Sequence, residues 1–287
     1  MLFKRPKNTI MKFLQTLPMV AAVCLAATAC NNNSATKEKK TEVIPMQIKE
    51  ESVGYSADTV NMIGFVAYDT ASDKKRPVVL VVHEWWGLND YSKSRAKQLA
   101  ELGYLAFAVD FYGNGAQADN PELAGKMATP FYQNPSMAKT RFDAALAKVK
   151  TMPMADTSNI AAIGYCFGGA QVLNMARLGS PLKGVVSFHG NLIGVPLDKS
   201  MLTANVLVCH GNADSFVPPT EVNLFKKQMD SIGATYTFKG YDGATHAFTS
   251  PGATETGKKF NMLIAYNPIA DTASWNEMKV FFGTIFK

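Results

Sequence analysis

The amino-acid sequence predicts an α/β fold, in which a mostly parallel sheet carries helices on both faces. Three observations predict it. From about residue 53, short apolar runs alternate with longer helix-like segments, as in chains that alternate strands and helices. The run PVVLVV at 77–82 is continuously apolar, which is typical of a strand covered on both faces. The composition, with 47% hydrophobic and 18% charged residues, is that of a globular protein.

Each predicted element has a local signal of its own. VNMIGFVAYD at 60–69 predicts an edge strand or a hairpin, and a helix over 90–102 ends at Gly103, a residue type that often terminates helices. After residue 110, polar residues with Gly and Pro predict a long connection. The other predicted strands are 77–82, 104–110, 159–164, 184–188, 205–210 and 234–240, and the other predicted helices are 136–150, 168–178, 219–232 and 272–285.

Residues 1–29 have the layout of an export signal. Four basic residues and no acidic residue precede or flank the apolar stretch FLQTLPMVAAVCLAATA, which ends in small residues. Cys30 follows directly, as in a bacterial lipoprotein whose cysteine becomes the lipidated N-terminus. Cys24 is a poorer candidate because bulky Val23 precedes it. The alternatives are a signal that is cleaved without lipidation and an uncleaved membrane anchor.

This N-terminus sets the predicted organisation of the chain. Residues 30–50 are polar and Lys-rich, which predicts a flexible tether, and residues 51–287 form one domain. The expected product is an exported, membrane-anchored lipoprotein that faces the periplasm or cell envelope and acts as a monomer. Its membrane contact is the N-terminal lipid.

The net charge of +6 does not indicate a nucleic-acid partner. Removal of residues 1–29 leaves 25 basic and 23 acidic residues, so the rest of the chain is nearly neutral. A nucleic-acid-binding domain would be expected to carry a basic patch or stripe. The sequence therefore predicts no nucleic-acid binding.

The strongest local motif is Gly164-Tyr165-Cys166-Phe167-Gly168-Gly169, between an apolar strand and a helical stretch. A nucleophile on a sharp strand-to-helix turn needs glycines at its flanks, because side chains there would block the close approach of strand and helix. At a helix start, the positive end of the dipole favours the reactive thiolate. The alternative is a buried structural cysteine beside a tight turn.

Two more polar residues follow later strands in an informative order. Asp214 comes after the strand at 205–210, and His246 comes after the strand at 234–240. The order nucleophile, acid, histidine is that of α/β-hydrolases, in which the histidine moves protons and the acid orients the histidine. Taken singly, Asp214 could instead cap a turn, and His246 could be an ordinary loop histidine.

With these motifs, the sequence resembles the dienelactone hydrolase family of α/β-hydrolases over about residues 55–287. HEWWGLN at 83–89 and DFYG at 110–113 extend the resemblance. It implies an α/β-hydrolase fold and a small ester or lactone as the substrate. The residues that it implies are Cys166 as nucleophile, Asp214 and His246 as its partners, Glu84 as a carboxylate near the resting thiol, and the backbone N–H groups of Trp85 and Phe167 as the oxyanion hole.

The sequence differs from the family at the residues that bind the substrate carboxylate. The founding members carry two arginines that hold a substrate carboxylate, and these positions fall at about Asn114 and Ser250 here. Neither side chain replaces a guanidinium, so dienelactone itself is not the expected substrate. Trp85, Trp86, Tyr112 and Phe248 instead predict an aromatic-walled pocket for a neutral acyl or aryl group, although such residues are also common in cores.

The remaining histidines and cysteines predict no metal site and no cofactor. His83, His189 and His210 also lie at predicted strand ends, but the sequence has no HExxH or CxxC spacing. His83 and His210 are expected to hydrogen-bond backbone groups, and Cys209 is expected to be buried, unreactive and not disulfide-bonded to Cys166.

The predicted function is hydrolysis of an ester or lactone through an acyl-cysteine intermediate. A non-catalytic envelope binding protein on the same fold is one alternative, because function depends on the site rather than on the fold. Acyl transfer to a nucleophile other than water is another.

Overall fold

The computed structural model of the protein describes residues 45–286. The predicted export signal at 1–29, Cys24, Cys30 and the tether as far as residue 44 lie outside the described residues. Within the described part of the chain, no helix is both long enough and apolar enough to cross a membrane.

Eight strands form one sheet in the order β1-β2-β4-β3-β5-β6-β7-β8. β1 pairs antiparallel with β2, and β2 pairs antiparallel with β4, whereas all other neighbours are parallel. The predicted mostly parallel sheet is therefore confirmed. The strands are β1 Ile48–Ala57, β2 Val60–Asp69, β3 Arg76–Val82, β4 Leu105–Val109, β5 Ala155–Tyr165, β6 Gly184–Phe188, β7 Asn205–Gly211 and β8 Tyr236–Tyr241.

Helices cover both faces of the sheet, as predicted. Side chains of α2 to α5 pack with alternate residues of β3 (Val78, Leu80 and Val82) on one face. Side chains of α1 and α7 pack with Val79 and Val81 on the other face. The helices are α1 Asp90–Glu101, α2 Pro121–Gln133, α3 Pro135–Lys150, α4 Phe167–Arg177, α5 Pro219–Ser231, α6 Ala253–Phe260 and α7 Pro268–Ile285.

The first strand begins three residues before residue 51, where the domain was predicted to start. β1 begins at Ile48, which pairs with Asp69 of β2, and Glu50 forms an ion pair of 2.7 Å with Lys97 of α1. The last three residues of the predicted tether, 48–50, therefore belong to an edge strand, where alternate side chains face solvent.

Two helices were not predicted from the sequence. α2 occupies the segment after residue 110 that was interpreted as a connection, and α6 follows the His246 loop. α2 starts with Pro121 at a position that favours proline, and the Asn120 side chain accepts a hydrogen bond from the Leu123 N–H at 2.9 Å. It buries Ala124, Ala128 and Phe131 against the sheet layer.

Candidate active site

Cys166 lies on a strained turn between β5 and α4. Its backbone has φ 51° and ψ −115°, which is a rare conformation for a residue with a side chain. A Cβ on Gly164 would stand 2.0 Å from the Gly168 carbonyl oxygen, and a Cβ on Gly168 would stand 2.2 Å from the Val82 carbonyl oxygen. Glycine is therefore required at both positions, for the packing reason that the motif suggested.

His246 and Asp214 are brought together at the carboxyl ends of β8 and β7. His246 Nδ1 lies 2.8 Å from Asp214 Oδ2, and both residues are buried. The other carboxylate oxygen of Asp214 accepts a hydrogen bond from the Phe216 N–H at 2.8 Å. The aspartate is thus fixed by its own loop and in turn fixes the orientation of the imidazole.

The sulfur of Cys166 completes this group. Burial lowers the pKa of His246, but its interaction with Cys166 and the hydrogen bond with Asp214 outweigh burial and raise the pKa to about 10. Cys166 and His246 line the same cavity, and Asp214 holds the imidazole of His246. Three residues that are 48 and 32 positions apart along the chain therefore lie together at one edge of the sheet.

Glu84 contributes a second buried carboxyl to this edge. It follows β3, is only 4% exposed, and lines the same cavity as Cys166 and His246. Within residues 45–286 its carboxyl forms no hydrogen bond and no ion pair. Burial raises its pKa to about 7, although His246 and Arg95 act in the opposite direction. Burial thus favours the uncharged form of the Glu84 carboxyl.

Two residues close to Cys166 have backbone N–H groups that are unpaired within residues 45–286: Phe167 follows Cys166 in the chain, and Trp85 lines the same cavity as Cys166. The N–H groups of Trp85 and Phe167 have no acceptor in the described part of the chain. The loop that carries Trp85 is held by the Tyr112 hydroxyl, which donates to the Trp85 carbonyl oxygen at 2.9 Å. His83 supports the same loop, since its Nδ1 lies 2.5 Å from the Glu84 carbonyl oxygen and its Nε2 accepts from the Phe111 N–H.

The site opens into two adjoining cavities. The first, the catalytic chamber, has a volume of about 200 Å³ and contains Glu84, Cys166 and His246. Its apolar wall consists of Trp85, Trp86, Phe216, Met262 and Ile264, with Ala128 and Tyr132 of α2. The second, the outer chamber, has a volume of about 540 Å³ and shares Glu84, Trp86, Ala247 and Ile264 with the first. Its wall is more polar and includes Asn89, Ser94, Asp119, Ser250, Thr256 and Lys259.

Of the four aromatic residues predicted to line the pocket, Trp85 and Trp86 do so and two do not. Tyr112 packs between His83 and Phe167 behind the Trp85 loop. Phe248 is fully buried in the core. The ring of Phe248 packs against His189 and Tyr241 instead.

The predictions for the other histidines and cysteines have mixed outcomes. His83 does hydrogen-bond backbone groups, and burial lowers its pKa to about 4. His210 does not, because its Nδ1 is buried without a hydrogen-bond partner among the described residues. Cys166 and Cys209 are both free thiols, and Cys209 is buried, as expected. No cluster of three or more metal-ligating side chains occurs within residues 45–286.

The sequence did not single out several residues of this site. Tyr132, Phe216, Met262 and Ile264 line the catalytic chamber but belong to no motif. His189 was noted only as a strand-end histidine, yet its ring centroid lies 5.2 Å from that of His246. Its place after β6, between the nucleophile strand and the Asp214 strand, was the signal available in the sequence.

The parallel sheet, the strained turn after β5, and the acid and histidine after β7 and β8 are those of an α/β-hydrolase. Comparison with known proteins narrows this class. The model of the dienelactone hydrolase family matches residues 62–286, and the chain belongs to that family. The protein is therefore a dienelactone hydrolase-like hydrolase.

Relatives agree with this assignment. The chain is 29% identical over 212 residues to "Protein usf" of Aquifex pyrophilus, covering 72% of this chain and 87% of that protein. It is 27% identical over 242 residues to a "Putative carboxymethylenebutenolidase" of Aquifex aeolicus, covering 83% and 99%. A similar crystal structure is that of a dienelactone hydrolase-like promiscuous phosphotriesterase from metagenomic libraries, with 31% identity, a TM-score of 0.77, and coverage of 83% of this chain and 98% of that chain.

Proposed function

We propose that the protein hydrolyses carboxylic esters or lactones with Cys166 as the nucleophile. The observation that carries the proposal is that Cys166, on its strained turn, lines the same cavity as His246, which is paired with Asp214. The N–H groups of Trp85, which lines the same cavity as Cys166, and of Phe167, the next residue in the chain, have no acceptor among the described residues. Such donors stabilise an oxyanion by on the order of 3 kcal/mol each.

The reaction has two halves. The Cys166 sulfur attacks the carbonyl carbon, the C–O bond to the alcohol breaks, and protonated His246 gives its proton to the departing oxygen. The high pKa of His246 supports this role, because the imidazole holds a proton at neutral pH. Neutral His246 then takes a proton from water, the resulting hydroxide attacks the thioester, and the sulfur leaves with the carboxylic acid released.

The cavities suggest the shape of the substrate. The catalytic chamber, at about 200 Å³ with an apolar wall, fits the scissile bond and a small acyl group. The outer chamber, at about 540 Å³, fits a larger and more polar part of the substrate. Ser250 lines it at the position where the founding members carry an arginine, which favours a neutral group there.

Glu84 is proposed to control the charge of the resting site. It shares the catalytic chamber with the sulfur and the imidazole, and burial holds its pKa near neutrality. A carboxyl in this position opposes a second negative charge nearby, so substrate binding that moves or protonates Glu84 would favour the ionised sulfur.

The test is a panel of esters and lactones offered to the wild type and to Cys166→Ala. The wild type should hydrolyse at least one class, Cys166→Ala should lose that activity, and the matched variant Cys209→Ala should keep it. Iodoacetamide should modify Cys166, and a thioester on Cys166 should be detectable by mass spectrometry. Full activity of Cys166→Ala would contradict the proposal.

Two alternatives give different results in the same experiment. A thioester that forms but is released mainly by an added alcohol or amine would indicate acyl transfer. Binding of esters without a thioester and without turnover would indicate a non-catalytic binding protein.

A further inference from the structure

His189 is a buried histidine that the proposed reaction does not use. It follows β6 with φ 41°, is 1% exposed, and its ring stands edge-on to that of His246 at 5.2 Å between centroids. A buried polar ring needs hydrogen-bond partners, and the two nitrogens of His189 contact two different segments of the chain.

The first nitrogen contacts the nucleophile itself. His189 Nδ1 lies 3.1 Å from the backbone nitrogen of Cys166 and accepts its N–H. The same N–H also reaches the Phe188 carbonyl oxygen at 3.0 Å, so residues 188 and 189 together hold the amide of the strained turn. Because Nδ1 is an acceptor, the ring proton is on Nε2.

The second nitrogen fixes the tautomer. Nε2 lies 2.7 Å from Thr249 Oγ1, to which it donates. Thr249 is held in turn by the Tyr91 hydroxyl at 2.7 Å and by Arg95, whose Nη2 donates to the Thr249 carbonyl oxygen at 2.7 Å. Thr249 is three residues after His246, so this chain of contacts joins the nucleophile turn to the loop of the proposed general base.

The ring can serve as an acceptor only while it is uncharged. The titratable and charged groups facing it are His246, Cys166, Arg95 and Tyr165, and Tyr91 is reached through Thr249. Burial holds the pKa of His189 well below its usual value, and the positive charges of His246 and Arg95 add to this effect. Two neighbouring imidazoles thus have opposite states, with His246 protonated and His189 neutral.

We propose that His189 is a positioning residue for the nucleophile. Its ring accepts the Cys166 N–H and, through Thr249, fixes the position of the turn at Cys166 relative to the His246 loop. The inference rests on the proposed role of Cys166 and adds a residue to that site. His189 acts through the backbone of Cys166, so it should affect the reaction of the sulfur more than the binding of substrate.

The experiment compares three substitutions in the full chain. His189→Phe keeps a ring but removes both nitrogens, and His189→Asn keeps an acceptor near the position of Nδ1 and suits a positive φ. The control Tyr236→Phe removes a hydroxyl at the start of β8, where it contacts Asp230 at 2.8 Å. The readouts are the rate of Cys166 alkylation by iodoacetamide, kcat and KM for an activated ester, and the melting temperature.

His189→Phe should slow alkylation and lower kcat by about tenfold, the factor expected for one lost hydrogen bond, while KM changes by less than about twofold. His189→Asn should recover most of the loss, and Tyr236→Phe should match the wild type. Nitrogen-15 NMR of the wild type should detect the Nε2–H tautomer of His189 while His246 is doubly protonated.

Two results would overturn the inference. One is wild-type alkylation and kcat in His189→Phe. The other is equal loss in the Phe and Asn variants with a matching fall in melting temperature, which would mean that the side chain only fills space. Because alkylation does not require ester hydrolysis, the variant series still decides on His189 if the wild type alkylates at Cys166 but hydrolyses no ester or lactone, a result that would reject the proposed function alone.

Discussion

The buried carboxyl of Glu84 should cost the folded protein stability at alkaline pH. The substitution Glu84→Gln keeps the size and shape of the side chain but removes the charge. In the folded protein, burial raises the pKa of Glu84 from 4.5 to about 7. A group buried to this extent should regain its ordinary pKa on unfolding.

The sign and size of the effect follow from proton linkage. Between pH 4.5 and about 7 the folded state binds a proton on Glu84 that the unfolded state has lost, so the contribution of this group to stability falls as pH rises through that range. This difference in pKa between the unfolded and folded states lowers the free energy of unfolding by about 3 kcal/mol above pH 7 and by less than about 1 kcal/mol at pH 5. Glu84→Gln removes that dependence.

The assay is urea unfolding of the wild type and Glu84→Gln at pH 5 and pH 8, followed by tryptophan fluorescence. The free energy of unfolding of the variant, relative to the wild type, should rise by about 2 to 3 kcal/mol between the two pH values. The control Glu101→Gln changes an exposed carboxylate at the end of α1 and should give no such rise. Parallel stability profiles of the wild type and Glu84→Gln between pH 5 and 8 would refute the reasoning.

Four further predictions concern the turn, the triad, the outer chamber and the N-terminus. Gly168→Ala should destabilise the fold by more than about 3 kcal/mol, because its Cβ would meet the Val82 carbonyl oxygen at 2.2 Å. The control Gly125→Ala in α2 has open space and should raise the melting temperature slightly. Equal melting temperatures of the two variants would contradict this prediction. Asp214→Asn should lower kcat for an activated ester by at least about 100-fold, since it no longer fixes the imidazole, and a loss of only a few-fold would argue against the triad. Ser250→Trp should fill the outer chamber and reduce kcat/KM for esters with a bulky polar alcohol while sparing methyl esters, and an equal effect on both would place the larger substrate part elsewhere. Cys30→Ser should abolish incorporation of labelled palmitate into the protein, and unchanged labelling would exclude lipidation at this residue.

The sequence predicted the parts of the site where one steric or topological rule dominates. The turn at Cys166 requires glycine at its flanks, because a Cβ at position 164 or 168 would lie within 2.2 Å of a backbone oxygen atom. Asp214 and His246 follow successive parallel strands, whose carboxyl ends lie at one edge of the sheet. These positions can be found without knowledge of side-chain packing.

Other parts depend on long-range packing that local patterns do not record. In β1, Lys49 and Glu50 are both exposed, so the start of a paired strand resembled the end of a tether. In α2, Pro130 and Gly125 weaken the helix signal, although Phe131 packs into the core and Tyr132 lines the catalytic chamber. The walls of the pocket come mainly from such segments and therefore could not be assigned from the sequence.

The contacts of Arg95 have a consequence for how the chain tolerates change. This buried guanidinium, carried by α1, binds the backbone beside His246 and the carboxylate of Asp271 at the start of α7, and it stacks on Trp275. The C-terminal helix thereby helps to hold the histidine loop, although it contributes no atom to the chemistry. The effect of a substitution at Asp271 or Trp275 should therefore depend on which residue occupies position 95. Replacement of Arg95, or of its partners on α7, should be tolerated only when the other side of the contact is replaced as well.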